Sequence, residues 1–159
     1  MPDNVYLGNP NLKKANTPIE FTEEQIIEFV QCQRDPVYFA NKYVKIVSLD
    51  EGLVPFTPYR FQEKLINNFH ENRFNICKMP RQTGKSTTVV SYLLHYAVFN
   101  DSVNIGILAN KAATARELLG RLQTAYENLP KWMQQGIIAW NKGSLELENE
   151  SKILAASTS

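Results

Sequence analysis

The chain has 159 residues, 43% of them hydrophobic and 21% charged, at a net charge of +1. That length suits one hydrophobic core, and the balance is that of an ordinary globular protein, without the excess of basic residues that marks a dedicated nucleic-acid domain. No run of about eighteen apolar residues and no charged-then-apolar leader is present, and Cys32 and Cys77 are too few for a disulfide framework, so membrane insertion and secretion are disfavoured and a reducing intracellular setting is expected.

Residues 1–18 are rich in turn formers and show no period, which predicts an extended arm. Thr22-Glu23-Glu24-Gln25 is a capping-box pattern opening a helix with Ile26, Ile27, Phe29 and Val30 as its apolar positions. Asp35-Pro36 supplies a second N-cap and a first-turn proline, for a helix carrying Val37, Phe39, Ala40, Tyr43 and Val44. Ser48 to Thr57 reads as a loop turning at Asp50-Glu51-Gly52. A third helix is predicted from near Pro58 to about Glu71, with Phe61, Leu65, Ile66 and Phe69 on one face. Phe74 to Lys78 reads as a strand, with Cys77 a buried thiol, and Ser86 to Phe99 as a helix apolar nearly all round.

Val103 to Ala109 reads as a second strand. Asn110 is placed to cap a helix whose stripe is Ala112, Ala115, Leu118, Leu119, Leu122, Ala125 and Leu129, closed by Pro130. Trp132 to Trp140 reads as irregular, with Tyr126, Trp132 and Trp140 as aromatic anchors. Leu145 to Glu148 alternates, Asn149-Glu150 turns, and Lys152 to Ala156 returns as a strand. The predicted organisation is an extended arm over 1–18, a helical segment over 19–57, and the first part of an α/β domain with a parallel sheet and flanking helices over 58–159.

The stretch Met79-Pro80-Arg81-Gln82-Thr83-Gly84-Lys85-Ser86-Thr87 lies between the predicted strand and the apolar helix. Strand, tight loop and helix in that order form the context of a phosphate-binding loop. In the Pro80–Thr87 loop, the backbone N–H groups beyond the proline and the helix dipole attract the anion. Lys85 is placed for the β- and γ-phosphates, and the Ser86 hydroxyl for Mg²⁺. The fold class is therefore that of a phosphate-loop nucleotide triphosphatase, although Met79 stands where the usual pattern has its first glycine. Hydrolysis also needs an acid at the end of another strand. Glu146, Glu148 and Glu150 are the nearest acids, and their alternation reads more simply as a solvated strand edge. His70 and His95 have no ligand cluster around them and read as packing or surface histidines.

Four stretches together resemble the large terminase subunit of myovirus-type tailed bacteriophages. They are Gly8 to Asn16, Pro80 to Ser86, Gly106 to Lys111, and Trp140 to Leu147. That family's loop lacks the first glycine and carries Arg-Gln, as Arg81-Gln82 do here. The resemblance implies the N-terminal part of an ATP- and Mg²⁺-dependent motor that drives double-stranded DNA into the procapsid. Its partners would be the portal protein, the small terminase subunit and further copies in a ring. Its place would be the cytoplasm of the infected host and, transiently, the procapsid portal. It further implies that Phe61-Gln62 is an adenine-recognising motif, with the carboxamide on the base edge. Arg81 matches an arginine that acts on the γ-phosphate in cis, with a general phosphate contact or a salt bridge as the other reading. The family's magnesium-binding acids and nuclease carboxylates would fall beyond Ser159, so the chain alone is expected to bind ATP without turning it over. A helicase-like ATPase of other function, and a nucleotide-binding or assembly module without catalysis, are the alternatives.

Overall fold

A computed structural model describes residues 4–159. The N-terminal stretch is not an extended arm. It forms a hairpin of β1 (Val5–Tyr6) and β2 (Asn9–Lys13), paired antiparallel. Leu7 and Gly8 make its turn at φ 45° and 78°, the positive-φ pair that a two-residue hairpin loop requires. Leu12 enters the main core. Pro10 lies within β2, a position open to proline on a strand at a sheet edge.

α1 (Glu23–Arg34) starts as predicted, with Thr22 Oγ1 accepting from the Gln25 N–H and the Gln25 side chain accepting from the Thr22 N–H. Its apolar face is only half used: Cys32 is buried, whereas Ile26 and Ile27 are exposed. Asp35 Oδ1 accepts from the N–H groups of Val37 and Tyr38 and so caps α2 (Pro36–Tyr43). The predicted loop after it is instead a second hairpin, β3 (Lys45–Ser48) and β4 (Gly52–Pro55), with the turn where the sequence placed it. Exposed Val47 pairs with exposed Leu53 there, while the Ile46–Val54 pair is only partly buried with Ile46 against the core, so the hairpin's burial period is weak. α3 (Arg60–Glu71) follows.

The predicted strand Phe74 to Lys78 does not join a sheet, and Phe74 and Ile76 are 83% and 100% exposed. Cys77 is accordingly half-buried rather than enclosed. A groove of about 750 Å³ separates this segment from its nearest sheet edge, with Cys77 and Asn75 on one side and Asn104 and Ile105 on the other. α4 (Lys85–Phe99) is largely apolar and buries residues from Thr88 to Phe99, while Lys85 and Ser86 at its start are exposed. Its His95, Phe99 and the α2 ring Phe39 form an aromatic cluster, with Phe39 and Phe99 edge-to-face at 5.3 Å.

β5 (Asn104–Ala109), α5 (Ala112–Glu127), β6 (Ile137–Trp140), β7 (Ser144–Leu147) and β8 (Lys152–Ser157) complete the chain. The sheet order is β5-β8-β7-β6, with β5 and β8 parallel and the other neighbours antiparallel. The fold is therefore α/β with flanking helices, as expected, but its sheet is mixed, with β5 and β8 as the parallel strand pair and a single parallel bridge from Lys14 to Ile137 of β6. Two local readings change. Lys111, not Asn110, is the N-cap of α5 and makes no side-chain cap, and the stretch before Trp140 contains β6. Buried Tyr126 donates its hydroxyl to the Gln135 carbonyl and packs on Trp140, so these rings are core anchors.

Candidate functional site

The loop before α4 gets its shape from local backbone constraints. Gln82 and Gly84 have φ of 59° and 72°, while Met79 has no positive φ. That explains why the usual first glycine is dispensable: its position needs no left-handed backbone here. Thr83 Oγ1 donates to the Pro80 carbonyl at 2.9 Å, closing the turn. The Gly84 carbonyl accepts from the Thr88 N–H at 3.0 Å, Thr88 Oγ1 at 2.8 Å and Gln62 Nε2 at 3.3 Å. A Cβ on Gly84 would lie 2.5 Å from Gln62 Nε2, so both φ and space restrict this position to glycine.

Gly84 is the N-cap of α4 and offers no side chain to its first turn. The first N–H groups of a helix have no intrahelical partner, and with the helix dipole they favour an anion. Pro80 through Thr87 line one cavity of about 310 Å³, joined from α5 by Arg121. Arg81, Lys85 and Arg121 bring three cations to that cavity, and none of its lining residues is acidic. Among the described residues neither Arg81 nor Lys85 has an ion-pair partner, whereas Arg121 pairs with Glu117. Ser86 is exposed one residue after Lys85 in the first turn of α4.

Phe61 and Gln62 are adjacent in sequence but diverge in space. Phe61 is exposed and stacks on Tyr59, with ring centroids 5.9 Å apart and planes at 10°. Gln62 is 3% exposed, and both ends of its carboxamide are taken. Its Oε1 accepts from the Tyr59 N–H at 2.8 Å while its Nε2 holds the Gly84 carbonyl. In this arrangement the side chain braces the loop through one N–H and one lone pair of its carboxamide.

The acids read as a solvated edge behave differently from one another. Glu146 pairs with Lys152 at 3.4 Å, and Glu150 accepts from Ser102. Glu148 is partly covered and accepts from Asn16, Gly136 and Lys13, so it ties the N-terminal hairpin to the sheet. None of the three lines the loop cavity. Among the described residues no cluster of three or more His, Cys, Asp or Glu suits a metal ion. His95 is buried with Nε2 at 2.8 Å from the Cys32 carbonyl, while His70 is exposed.

A glycine-capped, cation-lined loop at the N-terminus of a buried helix, beside a mixed sheet, defines an α/β domain of the phosphate-loop type. A family model described as "Terminase large subunit, T4likevirus-type, N-terminal" matches residues 76–159, just over half of the chain. The chain belongs to this family of phage DNA-packaging proteins. The matched span holds the loop, α4, α5 and the whole β5-β8-β7-β6 sheet, whereas Gln62 and the elements before it lie outside. Among the described residues no helix is long and apolar enough to cross a membrane.

Proposed function

We propose that this chain is an ATP-binding part of the phage packaging motor and holds Mg²⁺-ATP at the Pro80–Thr87 loop. The observation that carries the reading is the cavity formed by that loop, with unpaired Arg81 and Lys85 around a glycine-capped helix start. In this reading, the N–H groups of the loop and first turn hold the phosphates, Lys85 neutralises the β/γ end, and Arg81 adds charge there. Ser86 supplies a hydroxyl to Mg²⁺, and bound Mg²⁺ would spread the phosphate charge. Gln62 serves by fixing Gly84, and the exposed Tyr59–Phe61 stack just before it in sequence is an aromatic surface for a base. Double-stranded DNA, the portal protein, the small terminase subunit and further copies of the large subunit are the partners proposed from family membership, with the infected host's cytoplasm as the setting.

Titration with a fluorescent ATP analogue tests this. Lys85→Ala removes a charge-assisted contact worth about 1.5–3 kcal/mol, so affinity falls by about 10- to 150-fold. Equal binding by the parent chain and the variant would overturn the assignment. The second reading, nucleotide binding without turnover by this chain, is favoured by the lack of any acidic side chain lining the cavity.

A further inference from the structure

Arg121 attracts no notice in the sequence, where it is one basic residue on the polar side of an amphipathic helix. In the structure it is the one residue lining the loop cavity that comes from outside Pro80–Thr87. Its Nη2 donates to Glu117 Oε1 at 2.6 Å, one helical turn earlier, and the two side chains are 50% and 62% exposed. The opposite face of α5 is fixed, since Ala115, Leu119 and Leu122 are fully buried. The helix therefore stays in place while the guanidinium is free to swing.

We propose that Arg121 is a phosphate-contacting residue of this site, parked on Glu117 until a polyphosphate enters and then transferred to it. The inference rests on the nucleotide reading of the loop and adds a residue to it. An exposed pair one helical turn apart is weak and screened, so giving it up costs little. A guanidinium fork matches two phosphate oxygens, and a polyphosphate carries more charge than one carboxylate. With Arg81 and Lys85 already at the cavity, Glu117 offsets the repulsion on Arg121 only while no anion is bound. Glu117 then becomes a competitor for the phosphate, which gives the two residues opposite effects.

The test is titration of the full chain with a fluorescent ATP analogue, using Arg121→Ala, Arg121→Lys, Glu117→Gln and Lys85→Ala. Arg121→Ala weakens binding by about tenfold or more, with partial recovery in Arg121→Lys, where a point charge replaces the fork. Glu117→Gln tightens binding by about twofold or more, because the parked state loses its partner. A purely structural pair would shift melting temperatures and leave Glu117→Gln with no gain in affinity. Thermal melts followed by circular dichroism check each fold, and Glu117→Gln keeps the proposal falsifiable if Arg121→Ala unfolds. Binding that depends on Lys85 but ignores Arg121→Ala, or that weakens in Glu117→Gln, overturns the Arg121 assignment alone. Binding that is absent, or indifferent to Lys85→Ala, overturns the loop reading and this inference with it.

Discussion

Replacing Glu148 with alanine removes an acceptor shared by two separate pieces of chain, residues 13–16 and Gly136. Its Oε2 accepts from the Asn16 N–H at 2.8 Å, and its Oε1 from the Gly136 N–H at 2.9 Å and from Lys13 Nζ at 3.1 Å. The packing beneath is close: a Cβ on Gly136 would lie 2.5 Å from the Ala15 Cα. Hydrogen bonds to a charged group contribute about 1.5–3 kcal/mol each, but simple addition overstates the loss. The Glu148 side chain is 24% exposed, so water recovers part of it, and Lys13 Nζ keeps a long contact with the Gln134 carbonyl. Lys13 is nonetheless 10% exposed and would be left without its counter-charge. The expected destabilisation is about 2–4 kcal/mol for Glu148→Ala and about 1–2 kcal/mol for Glu148→Gln, which keeps one acceptor.

Urea unfolding is the assay, and the midpoint should fall at nearly constant slope. A Glu148→Ala change within about 0.5 kcal/mol would refute the clamp, because that is what an exposed strand edge gives. The pH dependence has a defined sign. Burial alone would raise the Glu148 carboxyl, but the Asn16 and Gly136 N–H groups and the Lys13 ammonium together hold it below its usual range. Its contribution is complete above the unfolded value of about 4.3 and is lost as pH falls through the lower folded value.

Gln62→Ala removes one of three donors to the Gly84 carbonyl and frees the Tyr59 N–H. It should lower ATP and GTP affinity in parallel, by about 2- to 12-fold for one net hydrogen bond. Competition by the two nucleotides decides the matter, and a variant that changes only their ratio would restore a base-reading role. His95 is pushed down to about 4 by burial, with His70 nearby adding to the effect against the opposing Cys32 carbonyl bond. The unfolded imidazole takes up a proton near pH 6.5 and the folded one near 4, so stability declines between those values as pH falls. His95→Gln should flatten that decline by about 2–3 kcal/mol in urea titrations across the window. An unchanged acid profile would show that His95 titrates alike in the folded and unfolded chain.

Local signals were legible where the residues that satisfy them lie within one turn. Thr22 with Gln25, and Asp35 with Val37 and Tyr38, are such cases, and both helix starts were placed correctly. Phe74 to Lys78 has the composition of a strand, yet pairing is a tertiary event and the segment faces a groove instead of a neighbour. β3 and β4 escaped notice for the converse reason, since their backbones pair while Val47 and Leu53 stay exposed. Glu146, Glu148 and Glu150 alternate in sequence, but β7 ends at Leu147 and period alone cannot show that Lys13 and Asn16 bind the middle one.

The candidate site divides along the same line. The loop proposed to face phosphate is encoded in contiguous residues, Pro80 to Thr87, and Met79 stands at the usual first-glycine position without a positive φ. The parts that tune it come from elsewhere, and each was visible in the sequence only as something more ordinary. Gln62 lies 22 residues before Gly84, and the fold uses it to tie the Tyr59 N–H to the Gly84 carbonyl, a contact that its resemblance to a base-reading carboxamide does not announce. Arg121 looks like half of a surface ion pair until α5 is seen to bring it to the loop. Their tasks are also different in kind. A buried brace with two satisfied ends holds Gly84 in a left-handed backbone before any ligand arrives. An exposed arginine on a weak partner answers only once an anion is present. Under the proposed reading, a loop braced from behind and met by a cation in front would bind phosphate without first paying to order its backbone. Substitutions at Gln62 should therefore affect every phosphate ligand alike, while those at Arg121 and Glu117 should scale with ligand charge.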